Sequence, residues 1–472
     1  MLWLISFMVF LVLFYYKAIK PLSYWKERGV PYKKALPLIG NCAVLIHKRK
    51  SFLEHVKDLY NDFPNERYYG THQFSKPALH VRDLDLIKSI TVKDFDQFVD
   101  HNNFFVDNVD SLFQKNLINL KGQAWRDMRA TLTPFFTSSK MKSMFLLFSE
   151  CSQQFVEYFE KKNENLITVE MKDIFSRFTN DAIASTAFGF KCDSLEEPLN
   201  EFYTNGQMTA NFAGARLLLL SVLHLIPLLQ KVIKFDIFPQ SLSTFFRRVI
   251  KETIDSRENG KIIRHDMIHL LLEARKGRVI RDEPETAGTE FAVVEESKIH
   301  HGKSSKLELT DENITAQAIG FFFGGFDMPA TVLSFMSYEL ALNPEIQGKL
   351  QTEIDETLNE CDGNLTYNAL QTMKYMDMVV SETLRKWPPA FQLERRCVKD
   401  YVVKPVKKHE KAFTIQKGSM VFIPTIGIHR DPLHFENPNK FDPQRFNDEN
   451  KTKIKSYSYL PFGSGQRGCI GK

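Results

Sequence analysis

Charge is missing from the first sixteen residues, MLWLISFMVFLVLFYY, and no basic residue stands ahead of that apolar run. A secretory leader opens with a basic segment and closes on small residues resembling A-x-A. Neither is present, so residues 1–20 are expected to stay as an uncleaved membrane anchor. The run is short against the ~20 apolar residues of a full span, but Trp3, Tyr15 and Tyr16 suit the membrane interface. Lys17, Lys20, Lys26 and Arg28 follow, which predicts a body on the cytosolic side.

Paired cysteines are also missing. The six, at positions 42, 151, 192, 361, 397 and 469, form no C-x-x-C and no regular spacing. That excludes a zinc-finger or disulfide framework and points to reduced thiols. A strong charge imbalance is absent as well: the net charge is +5 over 472 residues, with basic and acidic side chains interspersed. A nucleic-acid partner is excluded on that ground, and no internal repeat is visible. What the chain does have is apolar mass, 43% hydrophobic and 12% aromatic, enough for a large core.

Prolines at 21, 31 and 37 in PLSYWKERGVPYKKALPLIGN predict a non-helical, semi-rigid strap over 21–40. Length alone would permit two or three domains of ordinary size in residues 41–472. Short β-prone runs occupy 77–92, whereas apolar residues recur at helical spacing over 140–190, 242–276, 310–342 and 366–386. The expected fold class is mainly α with a small β region. The apolar stretch 212–229 reads as a buried helix or a patch dipping into a bilayer surface, and the polar stretch 282–309 as a mobile loop. Thr310 should cap a long helix, and inside it lies FFFGGFDMPAT, 321–331. Each glycine there costs roughly 1 kcal/mol and the proline about 3 relative to alanine, so the segment needs a reason.

The strongest motif closes the chain: YLPFGSGQRGCIGK places Gly463, Gly465, Gly468 and Gly471 around Cys469, with Phe462 and Arg467 beside it. In this setting backbone can approach a ligand of the sulfur closely. Upstream, Glu382 and Arg385 share a helix face at i, i+3 in SETLRKWPP, FDPQRF carries Arg445, and Trp125 and Arg129 share a face at i, i+4 in QAWRDMRA. An indole N–H and a guanidinium so placed suit a carboxylate. His265 and His269 have metal-like i, i+4 spacing, but read as solvated.

The pattern F-x-x-G-x-R-x-C-x-G resembles the haem-ligand loop of the cytochromes P-450, and the other motifs recur in that family's order. RHDMIHLLLEARKG and the region around Trp125 look most like the microsomal subgroup with insect and vertebrate xenobiotic-metabolising members. The resemblance implies the cytochrome P-450 fold, with haem between a long central helix and a cysteine loop. It implies Cys469 as axial ligand of the iron of haem b, with Phe462, which could shield the sulfur, and Gly465 as further cofactor-binding residues. Trp125, Arg129, Arg395 and Arg467 would hold the propionates, and Glu382, Arg385 and Arg445 would form a structural ion-pair network. It further implies an NADPH- and O2-dependent monooxygenase acting on small apolar substrates, xenobiotics or endogenous lipophiles. NADPH–cytochrome P-450 reductase would supply electrons, cytochrome b5 is a second candidate partner, and membrane lipid of the endoplasmic reticulum would hold the anchor. Lys121, Arg126, Lys140 and Lys142 could form a basic face for that reductase. The family continues with a helix and strands after the cysteine, so the C-terminal end is expected to be missing here.

FFFGGFDMPAT aligns with the family's oxygen-activating helix motif. Gly324, Gly325 and Asp327 match and are the catalytic candidates, the two glycines as a notch where backbone would approach haem and dioxygen, with Asp327 at its edge; Met328 stands where an alcohol ordinarily helps deliver protons, and Thr331 lies three residues on. A same-fold hydroperoxide isomerase or dehydratase, needing no proton delivery, and a non-catalytic haem or lipophile binder are the alternatives. In the loop at 95–108, FDQFVDHNNFFVDN, the phenylalanines would suit an apolar or aromatic ligand.

Overall fold

The structure, a computed structural model, describes residues 2–46, 50–101, 111–210, 239–260, 264, 266–277 and 309–472. The expectations for 212–229, for 282–308, for 102–108 and for His265 lie outside these residues. The apolar N-terminus forms a helix, Leu2–Phe14, whose side chains are almost all exposed. Helical geometry does not stop there. A turn of π-helix and one of 3-10 helix carry it through Pro21 to the short helix Tyr24–Glu27, so that Trp3–Glu27 is 25 residues long.

This corrects the expectation that residues 21–40 exclude helix. Pro21 sits in the first turn of its 3-10 segment, where a missing N–H costs nothing. Only after Val30 does the chain become irregular, held by isolated bridges from Tyr32 to Gly70 and from Gly40 to Gln73. Trp25 pins the junction: it is buried, and its indole N–H donates to the Thr71 carbonyl at 2.9 Å.

A four-stranded sheet stands beside this junction in the order β1 (Tyr68–Gln73), β2 (Lys76–Val81), β6 (Met420–Ile423), β3 (Leu393–Arg396). β1 pairs antiparallel with β2, Tyr68 opposite Val81; β2 runs parallel to β6, Leu79 beside Val421. β6, MVFI, is buried on both faces, as an inner strand flanked on two sides must be. β4 (Tyr401–Val403) and β5 (Phe413–Ile415) make a separate hairpin. Of the β-prone stretch 77–92 only the first part is strand. Asp83 caps a helix at Leu84–Lys88 by accepting from the Leu86 amide, and the ITV that looks like strand lies in a π-turn. The local cap outweighs β-propensity there.

Elsewhere helices dominate, as the periodicity predicts: Ser138–Glu160, Met171–Ile183, Gln240–Gly260 and Lys374–Lys386 all appear. They surround the central helix, Asp311–Leu342, which Thr310 caps by accepting from the Asn313 amide. The main core forms along that helix, with Phe322 and Phe326 stacked at 5.0 Å and packed among Phe188, Phe202 and Phe246.

Candidate functional site

Four glycines give the cysteine loop its path. Gly463 and Gly465 have φ of +78° and +72°, the left-handed region that a side chain resists. At Gly465 a Cβ would also collide with the Thr91 carbonyl, so this position is closed to other residues twice over. The loop is cinched by the Cys469 amide donating to the Phe462 carbonyl and the Gly468 amide to the Gly465 carbonyl, both at 2.8 Å. Phe462 therefore contributes backbone to the turn. Cys469 itself is exposed. Although the residue keeps contact with solvent, the protein packed around its sulfur raises the thiol pKa, while the Gly471 amide hydrogen bond and the charge of Arg129 pull the other way, toward thiolate.

Beside the loop stand three arginines with little to neutralise them. Arg395 is buried, and burial pulls its guanidinium down to about 10 against the weak support of Glu394. Arg467 falls to about 9, again chiefly through burial, with Arg395 and Arg129 repelling it and Asp100 opposing. Arg467 spends its donors on carbonyls, those of Val99 at 2.7 Å and Leu120 at 2.6 Å, and lies over the Trp125 ring at 4.1 Å. Asp100 comes no nearer to it than 3.8 Å. The Nε atoms of Arg129 and Arg395 are buried without a hydrogen-bond partner. Buried donors of this kind are costly unless something accepts from them. His101 belongs to the same cluster: Arg395 and Arg467 add to burial in holding its ring neutral. Nothing in the sequence pattern singles it out.

A buried polar knot holds the segment that leads into the cysteine loop. Glu382 takes a forked pair of hydrogen bonds from Arg385, 2.6 Å to Nε and 2.8 Å to Nη2, with both side chains fully buried. Arg445 adds an ion pair at 3.5 Å, and the Asp442 amide donates to the same carboxylate at 2.9 Å. Glu382, Arg385 and Arg445 thus lie together, with the Asp442 amide completing the contacts to the carboxylate. His429, which sequence reasoning passes over, connects the knot to the cysteine loop. Its Nε2 accepts from the Leu460 amide at 2.7 Å, which leaves Nδ1–H to donate to the Arg385 carbonyl at 3.2 Å. Tyr459 adds a second tie through its hydroxyl to the Ser381 carbonyl at 2.9 Å.

Comparison with known proteins agrees with this geometry. The family model described as cytochrome P450 matches residues 30–472. The chain belongs to the cytochrome P450 family. It is 44% identical over 464 residues to cytochrome P450 9e2 of Blattella germanica, covering 95% of this chain and 84% of that protein. It is 36% identical to probable cytochrome P450 9f2 of Drosophila melanogaster, with 98% and 88% covered, and 35% identical to cytochrome P450 6k1 of Blattella germanica, with 95% and 83% covered. Membership makes this P450 a haem-thiolate monooxygenase that takes electrons from a redox partner and acts on lipophilic substrates. The residues present fit the cofactor: a cysteine in a loop that only glycines can build, beside arginines whose buried donors await an anion.

Across from the loop, this P450's central helix divides the three catalytic candidates. A Cβ on Gly324 would meet nothing within 4 Å, while one on Gly325 would come within 2.6 Å of Ile183 Cδ1. Only Gly324 offers the open notch that both glycines were expected to share; Gly325 exists to let the helix Met171–Ile183 pack close. Asp327 is held by Lys172, whose ammonium donates to its carboxylate at 2.8 Å, to its own carbonyl at 3.0 Å and to Thr331 Oγ1 at 2.7 Å. Thr331 Oγ1 in turn donates to the Asp327 carbonyl, so its hydroxyl is engaged in the helix and does not replace the alcohol missing at Met328. Met328 is 47% exposed. Pro329 cannot donate to the carbonyl four residues back, and neighbouring carbonyls are taken by Thr179 at 2.7 Å and by Lys172. The helix nevertheless runs unbroken from Asp311 to Leu342. Among the described residues no group of three or more His, Cys, Asp or Glu could hold a metal ion by itself. His269 is partly buried on a helix capped by Asp266.

Proposed function

We propose that this P450 uses haem b, with Cys469 as the axial thiolate, to insert one oxygen atom into small apolar molecules, xenobiotics or endogenous lipophiles. The carrying observation is a pair of buried guanidinium Nε atoms without a partner, one on Arg129, whose charge acts on Cys469, and one on Arg395, whose Nη2 donates to the Ser464 carbonyl of the cysteine loop. Haem presents two propionates that would accept from them, with Arg467, Trp125 and His101 completing the cradle. When bound, haem supplies oxidising chemistry that a thiolate ligand favours by pushing electron density toward O–O cleavage.

The protein's own residues do the rest. Gly465 keeps the loop tight beneath the sulfur, and Arg129 and the Gly471 amide favour its thiolate form. Gly324 leaves room along the central helix, and Asp327 holds the proton-accepting group nearest that opening, clamped by Lys172. Electrons come from NADPH through NADPH–cytochrome P-450 reductase, with cytochrome b5 as a second donor. Residues 1–20 anchor the chain in the endoplasmic reticulum membrane, residues 21–40 link it to the body, and 41–472 form the catalytic domain on the cytosolic side.

The reduced, CO-bound absorption spectrum tests the assignment. It should show the thiolate-haem signature, which Cys469→Ser should abolish, and substrate-dependent NADPH consumption should yield an oxygenated product. Hydroperoxide turnover without NADPH would favour the isomerase reading instead.

A further inference from the structure

Met328 sits on the open side of the central helix. Phe321, Gly324 and Met328 recur at i, i+3 and i+7, the spacing of a single helix face. Phe321 meets the Phe136 ring edge-on at 5.8 Å, and Phe136 Cε1 lies 3.4 Å from where a Cβ on Gly471 would sit, just beyond Cys469. The face that carries Met328 is therefore the one turned toward the cysteine loop. Phe322 and Phe326 bury the other side of the helix in the main core.

Little shields the Met328 side chain. It is half exposed, one turn from Gly324, where a Cβ would meet no atom within 4 Å. Other methionines of the body, such as Met128, Met267, Met378 and Met420, are buried, where a flexible thioether fills gaps in packing. The polar groups next to Met328 are committed elsewhere: Lys172 clamps the Asp327 carboxylate, and Thr331 Oγ1 donates to a helix carbonyl. Met328 is thus the one electron-rich sulfur between Phe321 and Thr331, and it stands on the face that opens toward Cys469.

A thioether facing the place where an oxygen atom is transferred is itself an acceptor for that transfer. We propose that Met328 is a self-modification site, oxidised to methionine sulfoxide by this P450's own turnover whenever the opening holds no better acceptor. The proposal rests on the assignment of Cys469 as the haem ligand. In the balanced step a sulfur lone pair forms the S–O bond to one atom of dioxygen. The other atom leaves as water with two protons, and NADPH supplies the two electrons through the reductase. The thioether becomes a polar, chiral group, and reductases specific for one epimer or the other reverse the change. The sulfoxide oxygen makes the opening less hospitable to apolar substrates, so KM should rise while the modification persists. An enzyme that turns over without substrate thereby lowers its own affinity until it is reduced.

The test incubates the full-length holoenzyme with reductase, NADPH and catalase in the absence of substrate. Peptide mass spectrometry then measures the fraction of each methionine that has gained an oxygen. Met208 and Met171, exposed at 40% and 36%, are the internal controls, because peroxide released into solution attacks according to exposure. Met328 should be oxidised several-fold more than either, only with NADPH and dioxygen present, and less when an oxidisable apolar substrate competes. Its sulfoxide should be a single epimer, restored by one of the two epimer-specific methionine sulfoxide reductases and untouched by the other. Equal oxidation of the three methionines, a mixture of epimers, or a Met328 that stays reduced overturns the proposal. The CO-bound spectrum of the same sample separates the two readings. A holoenzyme with the thiolate-haem signature that oxygenates added substrate while Met328 stays reduced overturns the self-modification alone. One that lacks the signature and consumes no NADPH overturns the haem-thiolate assignment and the self-modification with it.

Discussion

The cysteine loop with its supporting knot, and the glycine stretch of the central helix, are both candidate parts of the same site, yet they are built on opposite plans. Around Glu382 the carboxylate and Arg385 are fully buried and paired, Arg445 closes the edge, and the segment leading to Cys469 is tied in through His429 and Tyr459. Around Gly324 the side chains are half exposed, the one ion pair is partly solvated, and the residue nearest the missing alcohol is a thioether. The first region tolerates almost no change because a lost partner leaves a charge stranded away from water. The second tolerates change cheaply in stability, which is where catalytic variation can accumulate.

Substitutions should expose that contrast, beginning on the buried side. Glu382→Gln leaves Arg385 and Arg445 without compensation and should cost about 3–5 kcal/mol. Urea denaturation followed by tryptophan fluorescence would show it, and a loss under 1 kcal/mol would mean the knot is not the support described. Acid should weaken the same region next. Burial holds the His429 ring down at about 3, whereas the unfolded residue titrates near 6.5. Between those values the unfolded chain takes up a proton that the native ring refuses, so stability falls with falling pH by about 1.4 kcal/mol per unit. His429→Gln should remove one proton's worth of that slope in unfolding measured from pH 6.5 to pH 5; an unaltered slope would place the titration elsewhere.

The paired glycines give a smaller effect with a built-in control. Gly325→Ala forces a methyl against Ile183 and should destabilise by about 1–3 kcal/mol. Gly324→Ala meets no atom and should gain up to ~1 kcal/mol from helix propensity, while lowering substrate turnover. If both variants melt alike, the division between packing and open notch is wrong. Smallest of all in stability is Met328→Thr, expected within ~0.5 kcal/mol of the parent. Its effect should appear in coupling, as more product per NADPH consumed; equal or poorer coupling would show that this position does not limit proton delivery.

How much of this could be read in advance depended on range. The cysteine loop and the Glu382–Arg385 pair were legible because their chemistry is written within a few residues, and a left-handed glycine or an i, i+3 ion pair is set by local geometry. The mainly helical fold was legible from periodicity for the same reason. His429 and Tyr459 were not, because their partners lie 31 and 78 residues away along the chain. Gly325 was misread as part of the notch because sequence spacing cannot say which side of a buried helix meets Ile183. The strap was misread in the opposite direction, since a proline forbids helix in an interior but not in a first turn. Lys172 had no signal at all: its meaning comes only from meeting Asp327 and Thr331, 155 and 159 residues along the chain.

The long reach of the knot also orders its assembly. Glu382 and Arg385 share one helix and can meet as soon as that helix forms, whereas the Asp442 amide, Arg445 and Leu460 must each be brought in by closing a long loop, at an entropic cost that local pairs avoid. Cys469 lies downstream of all three, so the placement of its sulfur rests on long-range closures rather than on the single helix that carries Glu382 and Arg385.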